Sequence, residues 1–582
     1  MKAPIHSRPR LNLPSFHWLT DRVWRVEHAF ERAKAADRPE EDTRVRIFIV
    51  MAAFCAVFVA LSLGAARAAL FSGEGEGRSA ALAAGPGRAD LVDRNGLLLA
   101  GDLTHYGLYV DPGELWDAVQ VRRALVQALP DKDLKRLDRV LAGGRRGFVI
   151  GGLTPQERER VHALALGGVT FEPEPRRAYP LGESAAHLIG FSDTGGRGLA
   201  GAEKAFDEQI RAAGRDGQAF PLSVDLRIQA VLESELAAAA MDQQAIGGVG
   251  IVTNARTGEI LAMASWPSFD PNHIGESPPE ARLNRAAASV FEMGSTFKTF
   301  TIAAGLDAGA ARPDSVFDAT QPLRMGNRLI HDFHAENRAM TLEDVFIHSS
   351  NIGTARLALT LGEDVMVGYF RRLGLLEAAP IELAESARPL LPRAWNDSNL
   401  ASASFGHAIM VSPLQVVAAM GAVANGGVYV PLTLRRLDRG PEGRRVIAET
   451  TSRQMLDLLR ANALRGSGTR ANPPGLRVGG KTGSAEKVIN GRYDRTRGVS
   501  SYAAVFPTDG PPTTDRYVVL ILLDEPHGSA ASFGLRTAGF TAAPAAGRVI
   551  DRIAPFVNVQ RREEIAPPAP MPVAEEPTGG VR

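Results

Sequence analysis

Residues 47–66 read IFIVMAAFCAVFVALSLGAA, twenty consecutive residues without a charge. At helical rise such a run spans about 30 Å, the hydrocarbon thickness of a bilayer. A soluble helix of that length would need a polar face, so the run is predicted to be a transmembrane helix. A cleaved signal peptide is the nearest rival, because Ala66-Arg67-Ala68 faintly resembles a cleavage site. The long charged segment ahead and the length of the apolar core favour an uncleaved anchor. Lys34, Arg38, Arg44 and Arg46 precede the run, whereas Arg67 and the acidic Gly73-Glu74-Gly75-Glu76-Gly77 follow it. That asymmetry predicts that residues 1–46 stay in the cytoplasm and that the rest of the chain lies on the far side of the membrane. The single cysteine, Cys55, falls inside the run, so neither an intrachain disulfide nor a Cys-based metal site can be built.

Beyond this segment the composition is that of a globular protein, and 582 residues exceed one ordinary domain. The 66 basic and 65 acidic side chains leave no net positive field for phosphate backbones, which excludes a nucleic-acid binder. Residues 67–87 are Gly-, Ala- and Ser-rich and read as a linker. From 88 to 220 short apolar runs mix with turns such as Asp93-Arg94-Asn95-Gly96 and with helical patterns at Leu115–Leu129 and Gln156–Leu166, an α+β module. Over 221–558 the texture changes. Gly247–Ala264 reads as two strands joined at Arg256-Thr257-Gly258, and a helical block is predicted from Thr296 to about Asp364. Further helix surrounds Leu414–Ala424. Tyr502–Phe506 and Tyr517–Leu523 are continuously apolar, as in buried central strands. Strands flanking a helical middle predict a sheet covered by helices. Residues 559–582 are dominated by Pro, Glu and Ala and read as a disordered tail.

The sharpest chemical signal is Phe291-Glu292-Met293-Gly294-Ser295-Thr296-Phe297-Lys298. It places Ser295 at a helix N-terminus with Lys298 one turn on, the geometry of a serine whose proton a desolvated lysine can take. The same letters also suit an N-cap serine followed by a solvated lysine. A second S-x-x-K, Ser484–Lys487, follows a Gly-rich strand and opens no apolar helix, so it is rejected as a nucleophile site. Two more elements change the weighing: Ser349-Ser350-Asn351 is the only S-x-N in the chain, and Lys481-Thr482-Gly483 the only K-T-G. Only 8 of the 66 basic residues are lysine, which makes chance a poor account of two lysines in such motifs. S-x-x-K, S-x-N and K-T-G in that order are a serine acyl-transfer set. Two decoys are set aside. Gly196–Gly201 matches G-x-G-x-x-G without a leading strand, and His331 with His334 lacks a third metal ligand.

With these motifs the chain resembles the class B penicillin-binding proteins over roughly 88–550. Further family patterns support this: Arg88 with Asp93-Arg94-Asn95-Gly96, Arg177-Ala178-Tyr179-Pro180, and Gly198-Leu199-Ala200-Gly201-Ala202-Glu203. Asn284-Arg285-Ala286, the Ile330–Thr354 segment with His331-Asp332, Ser404-Phe405-Gly406-His407 and Val411-Ser412-Pro413-Leu414-Gln415 look like the cell-division branch. The resemblance implies a single-pass anchor, a pedestal of the dimerisation type over 88–220, and an α/β (α+β) transpeptidase domain over 221–558 with a central, mainly antiparallel sheet. It implies a D,D-transpeptidase that cross-links peptidoglycan stem peptides at the septum and is acylated by β-lactams. Ser295 would be the nucleophile, Lys298 its base, Ser349 a proton relay, and Asn351 a holder of Lys298 and of the substrate amide. Lys481 and Thr482 would meet the substrate carboxylate, and Gly483 would leave room for an extended peptide. The N–H groups of Ser295 and Ser484 would form an oxyanion hole. No cofactor or metal is implied. The implied partners are a membrane glycosyltransferase of the FtsW kind and other divisome proteins. An elongation-specific transpeptidase of the same class, or a silent β-lactam-binding scaffold or sensor, stays open as an alternative.

Overall fold

In the computed structural model the described residues are 50, 54–56, 58–59, 87–326, 328–489 and 491–563. The chain divides into two units, 1–85 and 86–582. In the first, Val50, Phe54–Ala56, Phe58 and Val59 are helical. The predicted cytoplasmic segment, most of the predicted span and the linker up to 86 lie outside the described residues. Among the described residues no helix is long and apolar enough to cross a membrane.

The second unit opens with a mixed sheet. Strand β1 (Leu91–Val92) pairs antiparallel with β2 (Leu98–Val110), which also pairs with β3 (Gly147–Leu153) and β4 (Val169–Ala178). β5 (Phe220–Pro221) joins β1 in parallel. Helices α1 (Ala118–Ala128), α2 (Lys135–Gly143) and α3 (Pro155–His162) close over the far end of β2. Their starts follow local chemistry. The Asp117 carboxylate accepts from the Val119 and Gln120 amides, and Thr154 with Glu157 forms a capping box behind Pro155.

Two cores support this part. Leu108, Val110, Val121, Leu125, Leu137, Val149, Leu153 and Val161 form a separate distal cluster. Near the other end, Leu91, Leu99, Phe206, Ile210 and Phe220 belong to the same cluster as Val249, Ile251, Phe297 and Leu520. The predicted division at 220/221 therefore runs through one continuous apolar core.

The second sheet has the order β14-β15-β16-β6-β7, all neighbours antiparallel: β6 (Gly247–Asn254), β7 (Ile260–Trp266), β14 (Gly479–Ile489), β15 (Arg492–Phe506) and β16 (Tyr517–Asp524). In β16, Val518, Leu520 and Leu522 face one core while Val519, Ile521 and Leu523 face the other. Pleating sends successive side chains to opposite faces, so a strand covered on both sides reads as an unbroken apolar run. One face is covered by α4 (Leu226–Asp242) and a C-terminal helix (Ala542–Ile553). The other is covered by α5 (Lys298–Asp307), α6 (Leu342–Ile347), α7 (Asn351–Arg372), α8 (Pro413–Ala424) and α9 (Glu449–Arg465).

Two expectations need correcting. The predicted helical block from 296 to 364 is interrupted between α5 and α6 by two small ladders, β8 (Val316–Asp318) with β11 (Ala339–Thr341) and β9 (Leu323–Met325) with β10 (Arg328–Ile330). Pro313, Pro322 and Gly326, the last at φ +60°, are incompatible with a continuing helix. Residues 559–563, assigned to the predicted tail, are held against the second unit. Arg562 N–H donates to the Gly475 carbonyl at 3.0 Å, and the Gln560 carbonyl accepts from the Arg477 guanidinium at 2.8 Å. The remainder of that tail, from 564, lies outside the described residues.

Candidate active site

A turn of 3₁₀ helix, Gly294–Phe297, leads directly into α5, so Ser295 and Lys298 sit one turn apart. Ser295 is half-buried, whereas Lys298 is fully buried. Gly294 is at φ +49°, and a Cβ there would lie 2.4 Å from the Ser484 carbonyl oxygen. The Gly294–Phe297 turn is thereby pressed against β14, bringing the backbone beside Ser295 close to that of Ser484.

The Lys298 ammonium donates to the Ser349 carbonyl and, at 3.1 Å, to Ser349 Oγ. Lys481, also fully buried, donates to the same Oγ at 3.0 Å and approaches Thr482 Oγ1 at 3.4 Å. Thr482 Oγ1 shares a 2.6 Å hydrogen bond with Ser467 Oγ. A continuous polar chain thus runs from Lys298 through Ser349 and Lys481 to Thr482 and Ser467. Burial, and then the neighbouring Lys481 charge, hold Lys298 well below the usual lysine range, with Asp332 opposing them. Burial pushes Lys481 down to about 7. A neutral amine in a dry site can accept a proton that a solvated ammonium cannot.

Two site residues have neighbours that their motifs do not reveal. Asn351 does not hold Lys298: its side-chain amide donates to the His331 carbonyl at 2.9 Å, because Asn351 is the first residue of α7 and turns toward the loop that crosses that helix end. Gly483 is closely approached by the neighbouring turn. A Cβ there would lie 2.2 Å from the Met293 carbonyl and 2.4 Å from Thr296 Oγ1, so the missing side chain admits the Gly294–Phe297 turn. The second S-x-x-K lies along β14, where Lys487 pairs with Asp524 and Glu525, each at 2.8 Å. In the G-x-G-x-x-G segment, the Gly196 carbonyl accepts from Arg88 and Arg211 at 2.7 Å each.

Sequence reasoning assigned no role to Ser467, Asp332 or Glu292. Ser467 was legible only as a serine between Gly466 and Gly468 after a helix. Glu292, three residues before Ser295, is 8% exposed. Its Oε1 accepts from the Ala408 N–H at 2.8 Å and from the Tyr493 hydroxyl at 3.2 Å, while Oε2 is buried without a hydrogen-bond partner among the described residues. Burial pushes its pKa up to about 7. An unfolded glutamate ionises near 4.3, so between these values the folded state keeps a proton that the unfolded state has lost. Stability therefore falls as pH rises through that window, by about 1–3 kcal/mol. Glu292→Gln is expected to remove this slope, making the variant more stable than wild type at pH 8 but not at pH 5. Urea unfolding of both proteins at the two pH values tests it, and parallel pH dependences would reject it.

The penicillin binding protein transpeptidase domain family matches residues 248–550, and the penicillin-binding protein dimerisation domain family matches residues 83–195. The chain is 56% identical over 576 residues to the probable peptidoglycan D,D-transpeptidase FtsI of Caulobacter vibrioides, covering 98% of each chain. It is 31% identical over 506 residues to the peptidoglycan D,D-transpeptidase FtsI of Escherichia coli K12, covering 81% of this chain and 84% of that one. Among solved structures, penicillin binding protein 3 of Mycobacterium tuberculosis, complexed with aztreonam, superimposes with a TM-score of 0.64 at 24% identity. That superposition covers 82% of this chain and 97% of the other, a likeness of fold.

Proposed function

This chain belongs to the class B penicillin-binding proteins, in the FtsI branch of peptidoglycan D,D-transpeptidases, and from that membership we infer how its site cross-links the cell wall during division. Ser295 Oγ attacks the carbonyl of the penultimate D-Ala of a donor stem peptide, and neutral Lys298 takes the hydroxyl proton. The tetrahedral oxyanion is stabilised by the N–H groups of Ser295 and Ser484. Removing one such donor typically costs about 3 kcal/mol of transition-state binding. As the intermediate collapses, the C–N bond breaks and the terminal D-Ala leaves. Its nitrogen receives the proton through Ser349 Oγ, which bridges the two lysines. An amine of a neighbouring stem then attacks the ester, loses a proton along the same path and regenerates Ser295. Splitting the exchange into two acyl transfers keeps the energy of the first amide for the second.

Lys481 and the Thr482–Ser467 hydroxyl pair supply donors for the substrate's terminal carboxylate. Arrival of that anion favours the charged form of Lys481. β-Lactams enter as mimics of the D-Ala-D-Ala end. Asn351 retains a part through its backbone, which begins α7, and through the substrate amide it can meet. Residues 47–66 anchor the chain in the inner membrane, with 88–220 as pedestal and 221–558 as the catalytic part facing the periplasm. A membrane glycosyltransferase of the FtsW kind and other divisome proteins are the partners that the division branch implies. The distal pedestal leaves Trp116, Val119 and Val126 exposed to such contacts.

The observation that carries this reading is the buried Lys298, hydrogen-bonded to the one serine that Lys481 also holds. The test is intact-mass and peptide mapping after incubation with a labelled penicillin, beside Ser295→Ala. One adduct on Ser295, absent from the variant, is expected. A folded wild type that takes no adduct would overturn an autonomous enzyme in favour of a scaffold or sensor.

A further inference from the structure

We infer that Asp332 is a positioning residue for the Ser295–Lys298 pair, acting through the Ser349–Ile352 turn; this rests on the reading of Ser295 as nucleophile and Lys298 as base. Asp332 follows β10, in the segment inserted between α5 and α6. Its carboxylate closes over the start of α7: Oδ2 accepts from Ser350 Oγ at 2.7 Å, and Oδ1 accepts from the amides of Asn351 at 2.5 Å and Ile352 at 2.9 Å. The neighbouring His331 carbonyl accepts from the Asn351 side chain, and Ser350 Oγ in turn accepts from the Gly353 amide at 3.0 Å. The first turn of a helix has free N–H groups and a positive end, and an anion placed there satisfies both. Here residues 331 and 332 hold three successive residues, 350 to 352.

Ser349 stands immediately before that turn, at φ +58°. A serine in this left-handed region is strained and persists only where its surroundings over-determine it. The strain has a product: in this conformation both the carbonyl and the hydroxyl of Ser349 receive the Lys298 ammonium, while the hydroxyl also receives Lys481. On its N-terminal side the turn is tied back by the Ser349 and Ser350 amides to the Phe346 and Val345 carbonyls. On its C-terminal side the tie is Asp332. Without it, Ser349 can relax toward an ordinary conformation and carry its two acceptors away from Lys298.

Asp332 also acts by charge. The charged or titratable groups around Lys298 are Lys481, His407 and Asp332, and Asp332 is the one that favours the ammonium. Removing its charge lowers the pH at which Lys298 becomes a free base. Position and charge are separable, because asparagine keeps one oxygen that can accept from the two amides but carries no charge, whereas alanine keeps neither.

The test measures the second-order rate constant for acylation by a labelled penicillin, against pH, on the full chain in detergent. Wild type, Asp332→Asn, Asp332→Ala and the exposed loop control His334→Ala are compared, with melting temperatures for each. Asp332→Ala is expected to slow acylation by about 10- to 100-fold, the order that a displaced reacting group costs, while staying folded. Asp332→Asn is expected to recover part of the rate and to move the acid limb of the profile to lower pH. His334→Ala should match wild type. A wild-type-like rate and acid limb in both Asp332 variants would overturn the inference. So would a loss that only tracks lowered melting temperature with the acid limb unmoved, which marks a structural cap. If wild type itself takes no label, the reading of Ser295 fails first and this inference with it.

Discussion

Lys298→Met is expected to slow acylation of Ser295 by a labelled penicillin by about 10²–10⁴-fold, the range that a positioned proton acceptor contributes, without loss of thermal stability. Methionine reproduces the length of the lysine stem in a site with no exposure, and the amine it removes is one that burial disfavours in its charged form. The lost group is the amine proposed above as the base, while Ser295, the β14 backbone and Lys481 remain in place. Stopped-flow or gel-based acylation rates beside a melting curve provide the measurement. A rate within about threefold of wild type would mean that transition-state stabilisation does not pass through this amine. Lys481, with a pKa near 7 and a hydrogen bond to the same serine, would then be the acceptor to examine.

The second large effect lies outside the candidate site. Glu203, with a fully buried side chain, accepts from Arg88 at 2.5 Å and from Arg177 at 2.6 Å. Arg88 also pairs with Asp207, and Arg177 with Asp102 at 3.1 Å. Glu203→Ala leaves two guanidinium groups, with side chains 4% and 3% exposed, sharing one fewer carboxylate. Breaking a buried ion network from one side costs about 3–5 kcal/mol. Because the adjoining apolar cluster is shared between the pedestal and the catalytic sheet, the loss is expected to lower the unfolding of both together. Urea unfolding followed by tryptophan fluorescence, with penicillin labelling as a second probe, measures it. A change below about 1 kcal/mol would place the pair among charges that merely accompany the fold. Glu203→Gln, which keeps the shape and the acceptor but not the charge, should lie between.

These residues also show where reading the chain succeeds. The Arg88, Arg177 and Glu203 patterns were recognisable one by one, yet nothing in their spacing says that a single carboxylate joins residues 88 and 177. The double-sided burial of β16 was legible because pleating is a local rule and every residue from Tyr517 to Leu523 obeys it. The Ser295–Lys298 step was legible because one helical turn fixes three residues, whatever surrounds them. The inserted ladders between α5 and α6 were missed because each strand is three residues long, too short for a period to emerge.

Asn351 and Gly483 mark the limit. Both stand in motifs that could be picked out by eye, and both meet neighbours that the motif does not reveal, from residues 331 and 293. Order of motifs, helix starts, strand alternation and the pairing of a serine with a lysine depend on interactions within a few residues, and the amino-acid sequence specifies them directly. The depressed lysines, the strained Ser349, the Asp332 closure and the buried Glu292 arise from desolvation and from contacts between distant segments. Those terms exist only once the chain has closed on itself, since burial is a property of the packed molecule and of no residue alone.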